Sequence, residues 1–250
     1  MRVVKQAWLA LVVLSGTAWA NIPSYTAAGI VNASNYAPGP FAPNSVVSIF
    51  GANLARSTQA ATPGSVVPLE LNFVRVYVQE ELVPLLFVSE GQINFLMSPV
   101  AKAGPVHVRV ATEGQSGPDI IINVVDCAPT LFPTAGDYAL ATSADNKLLS
   151  PDAPAHGGDI VVIYLTGLGR TNPSFFAGEI PKTAARILAS LKITLGTMSV
   201  DQIYIKYAGL APGWAGLYQL NLEIPKDTGP DPELKVTGDV SSSPLKLAIR

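Results

Sequence analysis

The chain has 250 residues, with 16 Lys plus Arg against 18 Asp plus Glu and a formal net charge of -2. Charged residues make up 14% and apolar residues 48%, with 21 Gly and 21 Pro. This balance excludes a charged disordered chain. It also argues against nucleic-acid binding, which needs a basic excess to displace counterions from phosphate.

Taken in chain order, the first feature is a secretory signal peptide over residues 1–20. Arg2 and Lys5 form a short basic region, residues 7–14 (AWLALVVL) an apolar run too short to span a bilayer, and Ala18-Trp19-Ala20 a cleavage signal. No later apolar run is long enough for a membrane span, so the mature chain is expected outside the cytoplasm: periplasmic, cell-surface or extracellular. Its single cysteine, Cys127, has no intrachain partner and reads as a small buried residue.

Strand signals dominate the rest. Segments 73–78 (FVRVYV), 106–110 (VHVRV), 191–195 (LKITL) and 245–249 (LKLAI) alternate in the manner of half-buried strands. Segments 120–125 (IIINVV) and 160–165 (IVVIYL) are apolar runs suited to core strands. Turn pairs separate them, among them Pro63-Gly64, Gly104-Pro105, Gly117-Pro118, Gly157-Gly158 and Pro212-Gly213. The one helix-like stretch is 183–189 (TAARILA).

The strands also repeat. Segment 45–51 corresponds to 159–167, 76–78 to 193–195, and Gln92-Ile93-Asn94-Phe95 to Gln219-Leu220-Asn221-Leu222, with alternating strands closing each copy. The second copy is about ten residues longer between these landmarks, an excess expected in segment 208–216 (AGLAPGWAG). The predicted fold is all-β: two tandem immunoglobulin-like β-sandwich domains, residues 21–127 and 128–250, after the signal peptide.

Several ordered segments carry a family resemblance. They are 31–39 (VNASNYAPG), 42–55 (APNSVVSIFGANLA), 91–95 (GQINF), Thr166-Gly167-Leu168-Gly169 with Thr171-Asn172-Pro173, and 208–213 with 216–221 (GLYQLN). Together they resemble the Solibacter-type C-terminal domain of bacterial exported proteins, over nearly the whole mature chain. The segment around Ile49-Phe50-Gly51 also resembles immunoglobulin-like IPT/TIG domains. The resemblance implies an exported Ig-like unit, usually behind a longer partner segment, and it implies no catalytic residue. In this sequence little but the leader precedes the match.

No residue pattern argues for chemistry. Gly167-Leu168-Gly169-Arg170 lacks the Gly-Lys-Ser/Thr ending of a phosphate loop, so its glycines are expected to serve a turn. His156-Gly157-Gly158-Asp159 resembles an esterase oxyanion segment, but no G-x-S-x-G elbow accompanies it. His107 and His156 are the two histidines, so an ordinary zinc cluster is not expected, and Asp227, Asp231 and Glu233 read as solvated turn carboxylates. The Gln-Asn pair is expected to be structural, because it recurs in both copies. No catalytic, cofactor-binding or metal-ligating residue is assigned, and no cofactor is expected.

The aromatics remain as a candidate binding surface: Trp214 in the longer segment, Tyr207 and Tyr218 on its flanks, Phe175 and Phe176 in a neighbouring loop, and Arg170 as an anion contact. The expected function is an exported, non-catalytic interaction or scaffold module that binds another protein. The alternative is a carbohydrate-binding module using the aromatics around Trp214, and a remote one is a hydrolase with a cryptic triad built on a histidine. Mass spectrometry of the protein exported by its native host is expected to show a mature chain beginning near Asn21.

Overall fold

A computed structural model of the chain describes residues 22–64, 66–134 and 136–250. The expected signal peptide, residues 1–20, lies outside the described residues. In chain order the strands are β1 (Ser24–Asn32), β2 (Val46–Ala52), β3 (Gln59–Ala60), β4 (Val74–Val78), β5 (Glu81–Val83), β6 (Leu85–Val88), β7 (Gln92–Leu96), β8 (Gly104–Thr112), β9 (Gln115–Ser116) and β10 (Ile120–Val124). They continue with β11 (Thr130–Leu131), β12 (Ala141–Ser143), β13 (Ile160–Thr166), β14 (Thr171–Asn172), β15 (Ala185–Ile187), β16 (Lys192–Leu195), β17 (Met198–Val200), β18 (Ile205–Leu210), β19 (Tyr218–Glu223), β20 (Glu233–Thr237) and β21 (Leu245–Lys246). A single turn of 3-10 helix, Gln202–Tyr204, precedes β18. Among the described residues no helix is long and apolar enough to cross a membrane.

The fold is two tandem immunoglobulin-like sandwiches. The first packs the sheet β1-β2-β7-β6-β3 on β10-β8-β4-β5, and the second packs β11-β13-β19-β18-β15-β14 on β17-β16-β20-β21. The strand orders correspond: β2 stands where β13 does, β4 where β16 does, β7 where β19 does, and β8 with β10 where β20 with β21 do, while the larger sheet has seven strands in the second copy against five in the first. The repeat read from the sequence is therefore a repeat of topology.

Period-2 alternation sets which face is buried. In β2 and β7 the inward residues Val47, Ile49, Ile93 and Phe95 are fully buried, and in β13 and β19 Val161, Ile163, Leu220 and Leu222 are. Each such side chain contributes roughly 1.5–3 kcal/mol of burial. Two cores form, one from Tyr25 to Val124 and one from Cys127 to Ile249.

Three expectations change. The helix-like segment 183–189 holds strand β15 instead, paired with β18 through Ala185 and Arg186 and with β14 on its other side. So short a helix lacks the length to offset its nucleation cost, and the ladder supplies the hydrogen bonds instead. At the C-terminus only Leu245–Lys246 joins the ladder, while Leu247, Ala248 and Ile249 all turn inward. The added length of the second copy is not confined to 208–216. Part of it is the 3-10 turn, and part lengthens β18 and the loop that follows.

Two glycines mark where the sandwiches meet. Gly167 and Gly169 have φ of 80° and 83°. A Cβ at Gly167 would fall on the Ala128 carbonyl oxygen, and one at Gly169 on that of Asp126. Left-handed backbone and close approach together exclude any side chain here. Gly213, also left-handed, has open space around its Cβ position. Gly213→Ala is therefore expected to cost about 1 kcal/mol and Gly169→Ala at least about 3 kcal/mol in urea unfolding.

Candidate functional site

The segment after β13 lies against the segment that links the two sandwiches. Ala128 N–H donates to the Gly167 carbonyl at 2.8 Å, and β11 pairs with the end of β13. Thr166, fully buried, joins the copies through its hydroxyl. It accepts from Val46 N–H of the first sandwich at 3.2 Å and donates to the Gly216 carbonyl at 2.9 Å. The Asn44 amide donates to the Gly169 carbonyl at 3.3 Å, and the Tyr218 hydroxyl donates to that same oxygen. Asn32 and Ser34 reach Thr130 and the Leu131 carbonyl.

Two loops of the second sandwich border this junction. Gly213 N–H donates to the Pro181 carbonyl at 2.7 Å, which ties loop 211–217 to loop 173–184. The latter also reaches the first sandwich, where Val67 N–H donates to the Gly178 carbonyl at 2.9 Å. Phe176 and Trp214 project from the joined loops, 87% and 64% exposed. Beside Phe176 runs a crevice of only about 20 Å3, lined by Pro84, Leu96, Pro99, Pro181 and Leu210 among others. Its polar lining groups are already engaged: the Asn44 amide on Gly169, and the Glu179 carboxylate on Phe176 N–H at 3.1 Å.

The remaining residues of the expected binding surface lie elsewhere. Tyr218 is fully buried in the second core. Tyr207 is buried as well, its hydroxyl accepting from Ala185 N–H and donating to the Leu210 carbonyl, with the Arg186 guanidinium over its ring at 5.2 Å. Phe175 is half-buried against the same core. Arg170 is a tether between copies: one nitrogen pairs with Asp126 at 2.8 Å and another donates to the Ala101 carbonyl at 2.6 Å. Of the expected surface, only Trp214 and Phe176 stand exposed together.

The titratable candidates are separated. His107 on β8 pairs with Asp119, just before β10, at 2.8 Å, while the His156 backbone N–H donates to Asp159 in a turn. Among the described residues neither imidazole is hydrogen-bonded to a hydroxyl, and no three His, Cys, Asp or Glu converge as a metal set. Cys127 packs at the junction against Gly238. Burial first, then Asp239 and Asp126, pushes its thiol up to about 12.

The candidates read from the sequence omit a second aromatic feature. Phe50 lies opposite Gln92, Ser48 opposite Asn94, and Phe87 opposite Asn94, so all share the outer face of the first sandwich. The Tyr36 ring meets the Phe50 ring edge-on at 5.6 Å. Asn94 Oδ1 accepts from Ser48 Oγ and from Gln92 Nε2, both at 2.8 Å. Gln219 repeats this bond to Asn221 in the second copy at 3.2 Å. The period-2 pattern through Ser48-Ile49-Phe50 and Gln92-Ile93-Asn94 was the available signal.

No protein-family model matches the sequence, and no curated protein is similar to it. Among solved structures, the chain is similar to SGBP-B of the Bacteroides ovatus mixed-linkage glucan utilization locus, in complex with a mixed-linkage heptasaccharide. That match has 9% identity over 93% of this chain and 47% of that one, with a TM-score of 0.36. The surface glycan-binding protein PbSGBP-B of Prevotella bryantii matches at 12% identity over 90% of this chain and 41% of that one, with a TM-score of 0.28. The tandem Ig repeats of Dlar match at 11% identity over 92% of this chain and 95% of that one, with a TM-score of 0.24. The chain spans less than half the length of the two glycan-binding proteins. Likeness this low places no ligand on the chain.

Cys127 is expected to resist maleimide at pH 8 in the folded protein and to react at once in denaturant, since only the thiolate attacks. Labelling read by intact mass checks this.

Proposed function

We propose that the chain is an exported, non-catalytic interaction module of the Solibacter-type C-terminal kind, and that it docks a protein partner on the joined loops at the junction. The observation that carries this reading is the pair Trp214 and Phe176. Each is a large apolar side chain held in water by a loop whose backbone is hydrogen-bonded to its neighbour. Projecting rings on anchored loops are what protein interfaces use as hot spots, because little ordering entropy is lost on docking. The crevice is too small to enclose a small molecule.

Carbohydrate binding at Trp214 fits less well. A sugar presents hydroxyls along with its C–H faces, and needs free hydrogen-bonding groups beside the stacking ring. The crevice beside Phe176 offers only apolar side chains or polar ones already engaged. A hydrolase reading would need one of the two histidines, and each is paired with an aspartate at the surface.

Mature chain immobilised against native envelope and culture fractions is expected to retain a specific protein. The double variant Trp214→Ala with Phe176→Ala is expected to weaken that retention by at least about 2 kcal/mol, roughly 30-fold. The unfolding midpoint should hardly change. Retention indifferent to both changes contradicts the placement. Ester or peptide turnover lost on His156→Ala or His107→Ala would replace the reading with the hydrolase.

A further inference from the structure

We infer that the outer face of β1-β2-β7-β6 in the first sandwich is a second binding site, a platform for a neutral, β-linked, gluco-configured polysaccharide. This goes beyond the protein-docking reading and rests on other residues.

Cross-strand register puts Phe50, Phe87, Gln92 and Asn94 on one face, and the Tyr36 ring stands against Phe50. Tyr36 is 61% and Phe50 38% exposed, so both rings meet solvent. Beside Phe50, on β7, lies a fixed amide pair. Because Asn94 Oδ1 already accepts from Ser48 and Gln92, both amides are held in one orientation. Their other ends, Asn94 Nδ2 and Gln92 Oε1, have no hydrogen-bond partner among the described residues and are not sealed from water. The face therefore presents a donor and an acceptor side by side, next to two aromatic rings.

That combination matches one chemistry. Adjacent sugar hydroxyls each donate and accept, so they pair with a donor and an acceptor set together. A β-gluco pyranose holds its hydroxyls equatorial and leaves flat C–H faces for the rings. Charge points the same way: from Ile22 to Ala55 the sequence has no Asp, Glu, Lys, Arg or His. An acidic ligand would find no cation on β1, β2, β6 or β7, and the turn between β6 and β7 carries the exposed carboxylate Glu90, whereas a neutral chain pays no ionic desolvation.

The second copy shows what the fold alone requires. It keeps the amide bond of Gln219 to Asn221. At the place of Phe87, however, it has Tyr207, which is buried with its hydroxyl bonded to the backbone and Arg186 laid over the ring. At the place of Phe50 it has Tyr164, half-buried opposite Gln219, so an amide pair with a ring beside it belongs to both copies, while among the described residues the edge-on ring pair, Tyr36 with Phe50, is found in the first.

Native affinity electrophoresis of the mature chain in gels containing hydroxyethylcellulose tests this, with polygalacturonate gels and polysaccharide-free gels as references. The expected result is retardation by hydroxyethylcellulose alone. Tyr36→Asn, which suits the left-handed φ of 58° there, and Phe50→Thr are each expected to weaken retention at least tenfold. Trp214→Ala should leave it unchanged. Gln92→Leu, which spares both rings, gives an independent loss should Phe50→Thr unfold. The inference is overturned by an unretarded wild-type chain, by retention that survives Tyr36→Asn, or by equal retention in polygalacturonate. It is equally overturned if these variants abolish self-association in sedimentation and leave glucan retention unchanged.

Discussion

The structure depends on one close approach: the backbone of Gly167 to Gly169 lying on the carbonyls of Ala128 and Asp126. Two peptide segments pack there with no side chain between them. That closeness aligns β11 with β13, lets the buried Thr166 hydroxyl bridge Val46 to Gly216, and brings the Tyr218 and Asn44 side chains onto one carbonyl. Gly216 is held by the same logic, since a Cβ there would strike Leu96 and Val46 of the first sandwich. A buried carbonyl with two donors and a hydroxyl used in both directions leave few polar groups unpaired, so separating the sandwiches would cost several hydrogen bonds at once.

The consequence reaches the surface. Loops 173–184 and 211–217 are tied to each other and, through Gly178 and Gly216, to the first sandwich. Trp214 and Phe176 project from a braced support. The two copies share one strand order, yet they spend their differences at different places. The second lengthens the loops beside the junction. The first leaves its outer sheet face open around Tyr36 and Phe50.

Much of this architecture was legible in the residues. Alternation in 106–110 and the apolar run of 160–165 identify strands because one face, or both, must leave water. The recurrent Gln-Asn pair revealed the duplication because it occupies one register position in each copy. The segment 183–189 misled because its composition favours helix while its partner, β18, lies far along the chain. Tyr218 was legible in principle: it alternates in phase with Leu220 and Leu222, against Gln219 and Asn221. Tyr207 was not, because Arg186 of β15 covers it. The segments Thr166-Gly167-Leu168-Gly169, Asn44-Ser45 and Gly216-Leu217-Tyr218 stand out along the chain, and only folding reveals that they meet at a single junction.

Residual dipolar couplings of the amides in β2, β7, β13 and β19 of the mature chain test the central claim, that the junction holds both sandwiches as one body. The account predicts that a single alignment tensor fits both copies within experimental error. Two tensors of different magnitude would mean that the sandwiches move independently, and would contradict it.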